Sequence, residues 1–447
     1  MTWTNWAQLA DAHPAQEVSP HDPGEVVEAV VAARHQHLRV KMTGSGHSFT
    51  SIAVTDGLML HPTGLRGITA VDREALTVTA LAGTTLQELN EALCRLGLSL
   101  TNMGDIAEQT IAGAISTGTH GTGGVVGSLS AQVEGLELVT GDGILLCANA
   151  EENPDVLDAA RVGLGALGVL TSLTFRVEPL FTLEAHEQPM SWAEAVDEFD
   201  RHVMENQHFE MYWWPHTDRL LTKRNNRTLD DPEPLGRFRR WMDDEFLSNR
   251  VFGWLNRVGN RSPALVPRIN QLAARGLPER TYSDVPHKVF TSPRGVVFRE
   301  MEYAVPRESG LHALRDVRAL VERNDWRISF PVEVRVAPAD DIPLSMCSGR
   351  ETMFIAVHTN ARTDHTGYFA AVEEVLRGYD GRPHWGKLHS RSAGDLEPAY
   401  PRWEEFQQLR DRLDPERLFA NDYLDRVLGP VGQGAAGGRR SKVTTRP

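Results

Sequence analysis

LRVKMTGSGHSF, residues 38–49, is the stretch on which the reading of this chain turns. Leu38 to Met42 has the character of a short strand, and it runs without a break into Gly44-Ser45-Gly46-His47-Ser48-Phe49. A strand ending in Gly-x-Gly invites a dinucleotide-binding reading. That fingerprint needs a third glycine at position 49, where this chain has phenylalanine, and a helix directly after, where it has SIAVTDGLML. The Rossmann reading therefore fails. What remains is a turn whose successive backbone N–H groups form an anion nest, with glycines that let the backbone approach a pyrophosphate. His47 lies in its middle; taken alone, it reads as a loop histidine that hydrogen-bonds its own turn.

Outward from the loop, small elements alternate. Upstream, His21-Asp22-Pro23 opens EVVEAVVAARHQ, whose Val26, Val27, Val30 and Val31 form a helical face. Downstream come a strand, LTVTALAG, and a helix, TTLQELNEALCRLG, capped by Thr84 or Thr85 and closed by Gly97. GLELVTGDGILLCA reads as a hairpin turned at Gly141-Asp142-Gly143, and Gly163 to Glu178 as a glycine-rich turn entering a strand. This α+β pattern closes a first domain near residue 180. A second donor-rich stretch, Ser116 to Gly124, lacks Gly-Lys-Ser/Thr and so is no Walker loop. Two separated donor-rich loops suit a long ligand with a phosphate and a polar chain.

The second half has another texture: FEMYWWPHTDR, a charged helical segment around Arg237 to Asn256, and strands at VVFREMEYAV and FPVEVRVAP. In the last, Val332, Val334 and Val336 point one way and Glu333 and Arg335 the other. A surface strand with a local ion pair would look the same. An Arg beside a Glu also grips vicinal hydroxyls, the Arg stabilising an alkoxide and the Glu accepting a proton. Tyr212, Trp213 and Trp214 read as core or pocket wall. The tail from Gly429 has the composition of a disordered extension.

Composition limits the alternatives. In 447 residues, Lys+Arg 46 against Asp+Glu 60 gives a net charge of −14, which argues against a nucleic-acid binder. Cys94, Cys147 and Cys347 are too far apart for a disulfide framework or a CxxC site, and a reducing cytoplasm is expected. The histidines show no HExxH or other compact ligand spacing, so no metal is expected. The N-terminal residues have no apolar run of signal-peptide type, and Val162 to Phe175 is too short to span a bilayer of about 30 Å.

VKMTGSGHSF with TDG after it, NMGDIAEQTIAGAISTGTHGTG, the E-x-R strand, and RPHWGK followed by LDPERLFANDYLDRVLG carry a specific resemblance. The chain resembles the vanillyl-alcohol-oxidase type of flavoproteins up to about Leu428, and within it the sugar-1,4-lactone oxidases and the alditol oxidases. The resemblance implies an FAD-binding domain at 1–180, an antiparallel-sheet substrate or cap domain at 181–380, a segment at 381–428 that returns to the first domain, and a disordered tail at 429–447. It implies FAD bound covalently through His47, with Gly44, Ser45, Gly46, Ser48 and Phe49 around the pyrophosphate. Gly118, Thr119, His120, Gly121, Val169 and His384 would also touch the cofactor. Glu333, Arg335 and Lys387 would act on the substrate, with Thr110 and Thr359 as weaker hydrogen-bonding candidates. Lys387 could remove a proton if burial and Arg335 depress its pKa.

The reaction implied is oxidation of an aldono-1,4-lactone of the L-gulono or D-arabinono type, with molecular oxygen or another electron acceptor. The alternative is an alditol such as xylitol or sorbitol oxidised at C1. A binding protein that has lost its chemistry is a third reading, opposed by the intact set His47, Glu333, Arg335 and Lys387.

Overall fold

The computed structural model describes residues 2–236, 252–291, 295–324 and 326–430. Three of the five sheets among the described residues organise it. The strand Val40–Met42 leads into the glycine loop and pairs in parallel with Leu58–Leu60, which pairs in parallel with Gln16–Val18. Helix Pro23–His35 starts where predicted, with Asp22 accepting from the Glu25 amide, and packs Val26, Val30 and Ala33 against Val40, Leu58 and Leu60. An antiparallel five-stranded sheet runs in the order Leu145–Asn149, Val133–Val139, Val169–Arg176, Thr77–Leu81, Ile68–Asp72. The Gly141-Asp142-Gly143 hairpin forms, with Gly143 at φ +76°. Helix Leu86–Arg95 carries a capping box between Thr85 and Glu88.

An eight-stranded sheet begins at Thr182 and takes in the remaining long strands, His208–Trp213, Phe298–Pro306, Val332–Ala337 and Thr352–Asn360 among them. Its period of two decides the rest of the molecule. Val332, Val334, Val336, Ile355 and Val357 form one core with helices Arg307–Arg323 and Thr366–Arg377. The opposite face carries Glu300, Glu302, Glu333, Arg335 and His358 into a cavity. Glu333 and Arg335 are 7% and 9% exposed, so the surface-strand reading is excluded. Trp213 is core, and Tyr212 donates to Glu333 at 3.5 Å.

The chain after residue 380 packs back on the glycine-loop region. Val40 donates to the Leu418 carbonyl at 2.8 Å and Phe49 to that of Gly386 at 2.7 Å. The Asn421 amide donates to the carbonyls of Ser51, Ile52 and Val54. Of the segment expected to be helical around 237–256, residues 237–251 lie outside the described residues, as does the tail from 431 on. Cys94, Cys147 and Cys347 are free, and no helix among the described residues is long and apolar enough to cross a membrane.

Candidate active site

Two cavities meet at His47. The first is lined by Val40 to Ser48, by Thr110, Ala112 and Gly113, by Leu164, Gly165, Gly168, Val169 and Leu170, and by Phe419. Thr43 donates to Leu60 and Phe49 to Gly386, but between them the amides of Gly44, Ser45, Gly46, His47 and Ser48 meet no acceptor among the described residues. A run of unspent N–H groups lining a cavity fits a pyrophosphate. Gly46, at φ +71°, supplies the backbone conformation this turn needs. Val169 lines the same cavity, beside Gly165 at φ +62°.

Thr110 lies under this loop and not in the substrate region expected for it. It caps the short helix Ile111–Ser116 by accepting from Gly113, and a Cβ on Gly44 would come within 2.7 Å of its hydroxyl. Sequence periodicity missed that helix because it is little more than one turn long.

The second cavity shares His47, Ser48, Gln109 and Thr117 with the first. Around it stand Trp6, Phe49, Asp105, Glu108, Thr119, His120, Glu300, Glu302, Glu333, Arg335, His358, His384 and Lys387, drawn from the glycine loop, the eight-stranded sheet and the HWGK segment. Phe49, expected beside the pyrophosphate, lines this cavity instead, with the Lys387 ammonium 5.2 Å from its ring centre. Thr119 and His120 line it, whereas Gly118 and Gly121 line neither cavity. Gly118 takes φ +76°, and a Cβ on Gly121 would fall 2.3 Å from the Asn102 side-chain oxygen. Thr359 is also displaced from its expected role: its strand alternates, so His358 faces the cavity and Thr359 does not.

The charges are arranged in layers. The Arg335 Nε donates to Glu210 at 2.9 Å, while Nη2 donates to Glu333 and lies 3.6 Å from Asp105. Burial opposes its charge, but these carboxylates outweigh burial and hold the guanidinium protonated. Burial pushes the Glu333 carboxyl up to about 7 against the pull of Arg335, with Asp105 and Glu210 adding to the rise.

Lys387 corrects an expectation. Its Nζ donates to Glu300, and although burial alone would lower its pKa, Glu300 and Glu302 raise it above the ordinary lysine value. Arg335 is not what sets it. Glu300 is held well below the usual carboxylate range, burial being outweighed by Lys387 and by His358 at 3.4 Å. His358 has Nδ1 on the Pro331 carbonyl and Nε2 facing Glu300, so both nitrogens carry hydrogen; burial opposes this, and Glu300 raises its pKa. Burial lowers the pKa of His47, with Glu108 opposing and Lys387 adding, so its imidazole, stacked on Trp6 at 5.8 Å, is neutral.

Glu300, Glu302 and His358 were missed from sequence. The signal was present in REMEYAV, an E-x-E alternation of the same period as E-x-R. His120, Glu302 and His384, distant in sequence, also converge, with their ligand atoms within 4.8 Å of one another. Their hydrogen bonds do not suit a cation. His384 accepts from the Gly386 amide through Nδ1, and burial lowers its pKa to about 3, so the neutral ring carries its hydrogen on Nε2. His120 is held between the Gly121 carbonyl and Glu302.

Comparison with known proteins agrees with this geometry. Residues 14–148 match the FAD binding domain family, and residues 173–427 match the D-arabinono-1,4-lactone oxidase family. An L-gulono-1,4-lactone dehydrogenase of Mycobacterium tuberculosis is 42% identical over 96% of this chain and 99% of its own length. The L-gulonolactone oxidase of Mus musculus is 33% identical over 95% and 97%. Among solved structures, a cholesterol oxidase from B. sterolicum superposes with a TM-score of 0.81 at 19% identity, covering 96% of each chain, a likeness of fold alone. The architecture is the α+β, two-domain vanillyl-alcohol-oxidase-type FAD-binding fold. The chain belongs to the D-arabinono-1,4-lactone oxidase family of FAD-dependent oxidoreductases.

Proposed function

We propose that this enzyme oxidises an aldono-1,4-lactone of the L-gulono or D-arabinono type at its 2-hydroxyl, giving the 2-keto lactone. The observation that carries the reading is the junction at His47: an anion nest on one side, and on the other a cavity holding Glu333, Arg335 and Lys387. Bound FAD supplies a hydride acceptor at N5, and molecular oxygen or another acceptor takes the electrons onward. The 44–48 amides would hold its pyrophosphate, and the neutral His47 imidazole would be the residue that carries it covalently.

The protein's part is to orient the carbinol and manage its proton. Arg335, fixed by Glu210 on one edge, presents its remaining N–H groups and Glu333 to neighbouring hydroxyls. Lys387 is a donor to the reacting oxygen and not its base, because Glu300 keeps it an ammonium. The base is Glu333, whose carboxyl titrates near neutrality and so combines ionisation with proton affinity. As the carbinol is oxidised, its O–H proton would pass to the Glu333 carboxylate. Arg335 and Lys387 offset negative charge on the oxygen in a water-poor cavity.

The named lactone enzymes among the relatives favour a lactone over an alditol. Steady-state turnover decides between them: L-gulono-1,4-lactone is expected to exceed xylitol by at least a hundredfold in kcat/KM, and the reverse order would sink the lactone reading. Bleaching of the yellow protein by lactone under nitrogen separates an enzyme from a binding relic, and peroxide yield against dye reduction identifies the acceptor.

A further inference from the structure

The first cavity contains one side chain that the site as described leaves without a task. Lys41 sits in the strand feeding the glycine loop, lines the cavity and is 4% exposed. Among the described residues its Nζ makes a single hydrogen bond, at the long distance of 3.5 Å, to the carbonyl of Gly165 in the turn opposite. The nearby carboxylate of Asp414 is spent on the amides of Leu418 and Phe419, and Asp425 lies against Arg39. A buried amine with so weak a partner is destabilising unless something else accepts from it.

The layout says what that acceptor is. If the pyrophosphate occupies the 44–48 amides, the flavin must extend toward His47 and the second cavity, where the substrate groups are. The other half of the dinucleotide is left with the rest of the first cavity's lining, where the Lys41–Gly165 and Val40–Leu418 bonds draw Val40, Lys41, Gly165, Gly168, Val169 and Phe419 together. Among these residues Lys41 has the one polar side chain. We propose that Lys41 is the adenosine anchor of the site: its Nζ donates to the acceptor atoms of the adenosine half, and it is the side chain by which the protein distinguishes FAD from FMN. The inference rests on the FAD reading of the two cavities. Burial, with Arg410 adding and Asp414 and Asp425 opposing, lowers the Lys41 pKa to about 7, as suits a group placed for a hydrogen-bonded ligand instead of an ion pair.

The test uses the full-length His47→Ala variant, in which flavin is exchangeable, with and without Lys41→Met. Dissociation constants for FAD and FMN are read by fluorescence, and that for ADP by competition with FAD. Lys41→Met is expected to weaken FAD and ADP by tenfold or more and to leave FMN within twofold. Unchanged FAD and ADP affinities, or equal losses for FAD and FMN, would overturn the anchor. Lys41→Gln, which keeps a donor, serves if Lys41→Met does not fold, and is expected to weaken FAD and ADP by severalfold while leaving FMN within twofold; unchanged FAD and ADP affinities, or equal losses for FAD and FMN, would count against the proposal. If His47→Ala with Lys41 intact takes up no FAD at all, it is the reading of the cavities that fails.

Discussion

The Lys387 ammonium donates to the Glu300 carboxylate, whose second oxygen faces His358 at 3.4 Å, so a single buried anion holds two cations against the substrate cavity. A lysine that must stay protonated loses its function as pH rises through its pKa. Because Glu300 and Glu302 raise that pKa, the intact enzyme should show no alkaline loss in kcat/KM attributable to Lys387 below about pH 10. In Glu300→Gln the charge is removed while the shape remains, and the alkaline limb should move to lower pH, because burial then lowers the Lys387 pKa with less to oppose it. A profile unchanged in Glu300→Gln would show that Lys387 does not depend on this contact.

Glu333 should govern the acid side. A base works ionised, so kcat/KM should rise with pH through about 7 and level off above it. Glu333→Gln should cost about 10²- to 10⁴-fold in kcat, the usual worth of a general base, with flavin content intact. If Glu333→Gln keeps wild-type kcat, the proton goes elsewhere.

Arg335 grips Glu210 and Glu333 with different nitrogens, a fork that lysine cannot copy. Arg335→Ala should lower the rate of anaerobic flavin reduction by about 10²- to 10³-fold, in line with loss of a charge-stabilising donor. Arg335→Lys should recover little. A variant that instead sheds flavin and keeps its turnover per flavin would move Arg335 out of the substrate role.

Covalent attachment predicts a plain observation. Acid-precipitated wild-type protein should form a yellow pellet, whereas His47→Ala should release its flavin to the supernatant. A white wild-type pellet would leave the cofactor assignment standing and remove the bond.

Stability should fall in mild acid. His208 is buried, donates to the Thr122 carbonyl and has its pKa lowered to about 4, chiefly by burial. Between about 4 and 6.5 the unfolded chain binds a proton at this position that the folded chain refuses, so stability decreases as pH falls through that window. The full effect is about 3 kcal/mol. His208→Asn should melt lower at pH 7 yet lose less on acidification; an identical slope of Tm against pH would refute the assignment.

How much of this was legible in the sequence depended on whether a signal was local. The failed third glycine at Phe49, the period of two through Glu333 and Arg335, the proline-marked helix start at Pro23 and the cap at Thr84 or Thr85 are each decided within a few residues; the structure starts the helix at Pro23 and settles the cap on Thr85. Thr359 was misplaced by a single position in an alternating strand, where one residue is the whole difference between core and cavity. Thr110 was misread because its partner, Gly44, is distant in sequence and only packing brings them together. The charge of Lys387 could not be foreseen from HWGK, since it is set by Glu300 on another strand.

The bond from the Phe49 amide to the Gly386 carbonyl, together with that from Val40 to Leu418, has a consequence in time. On the ribosome the glycine loop emerges long before the backbone that braces it, at Gly386 and Leu418, and the lysine that faces it, Lys387. The loop cannot be finished when its own residues are. Cofactor capture in the braced form must wait until these later residues have emerged, so ribosome-stalled chains ending before residue 386 are expected to retain no flavin once excess FAD is washed away.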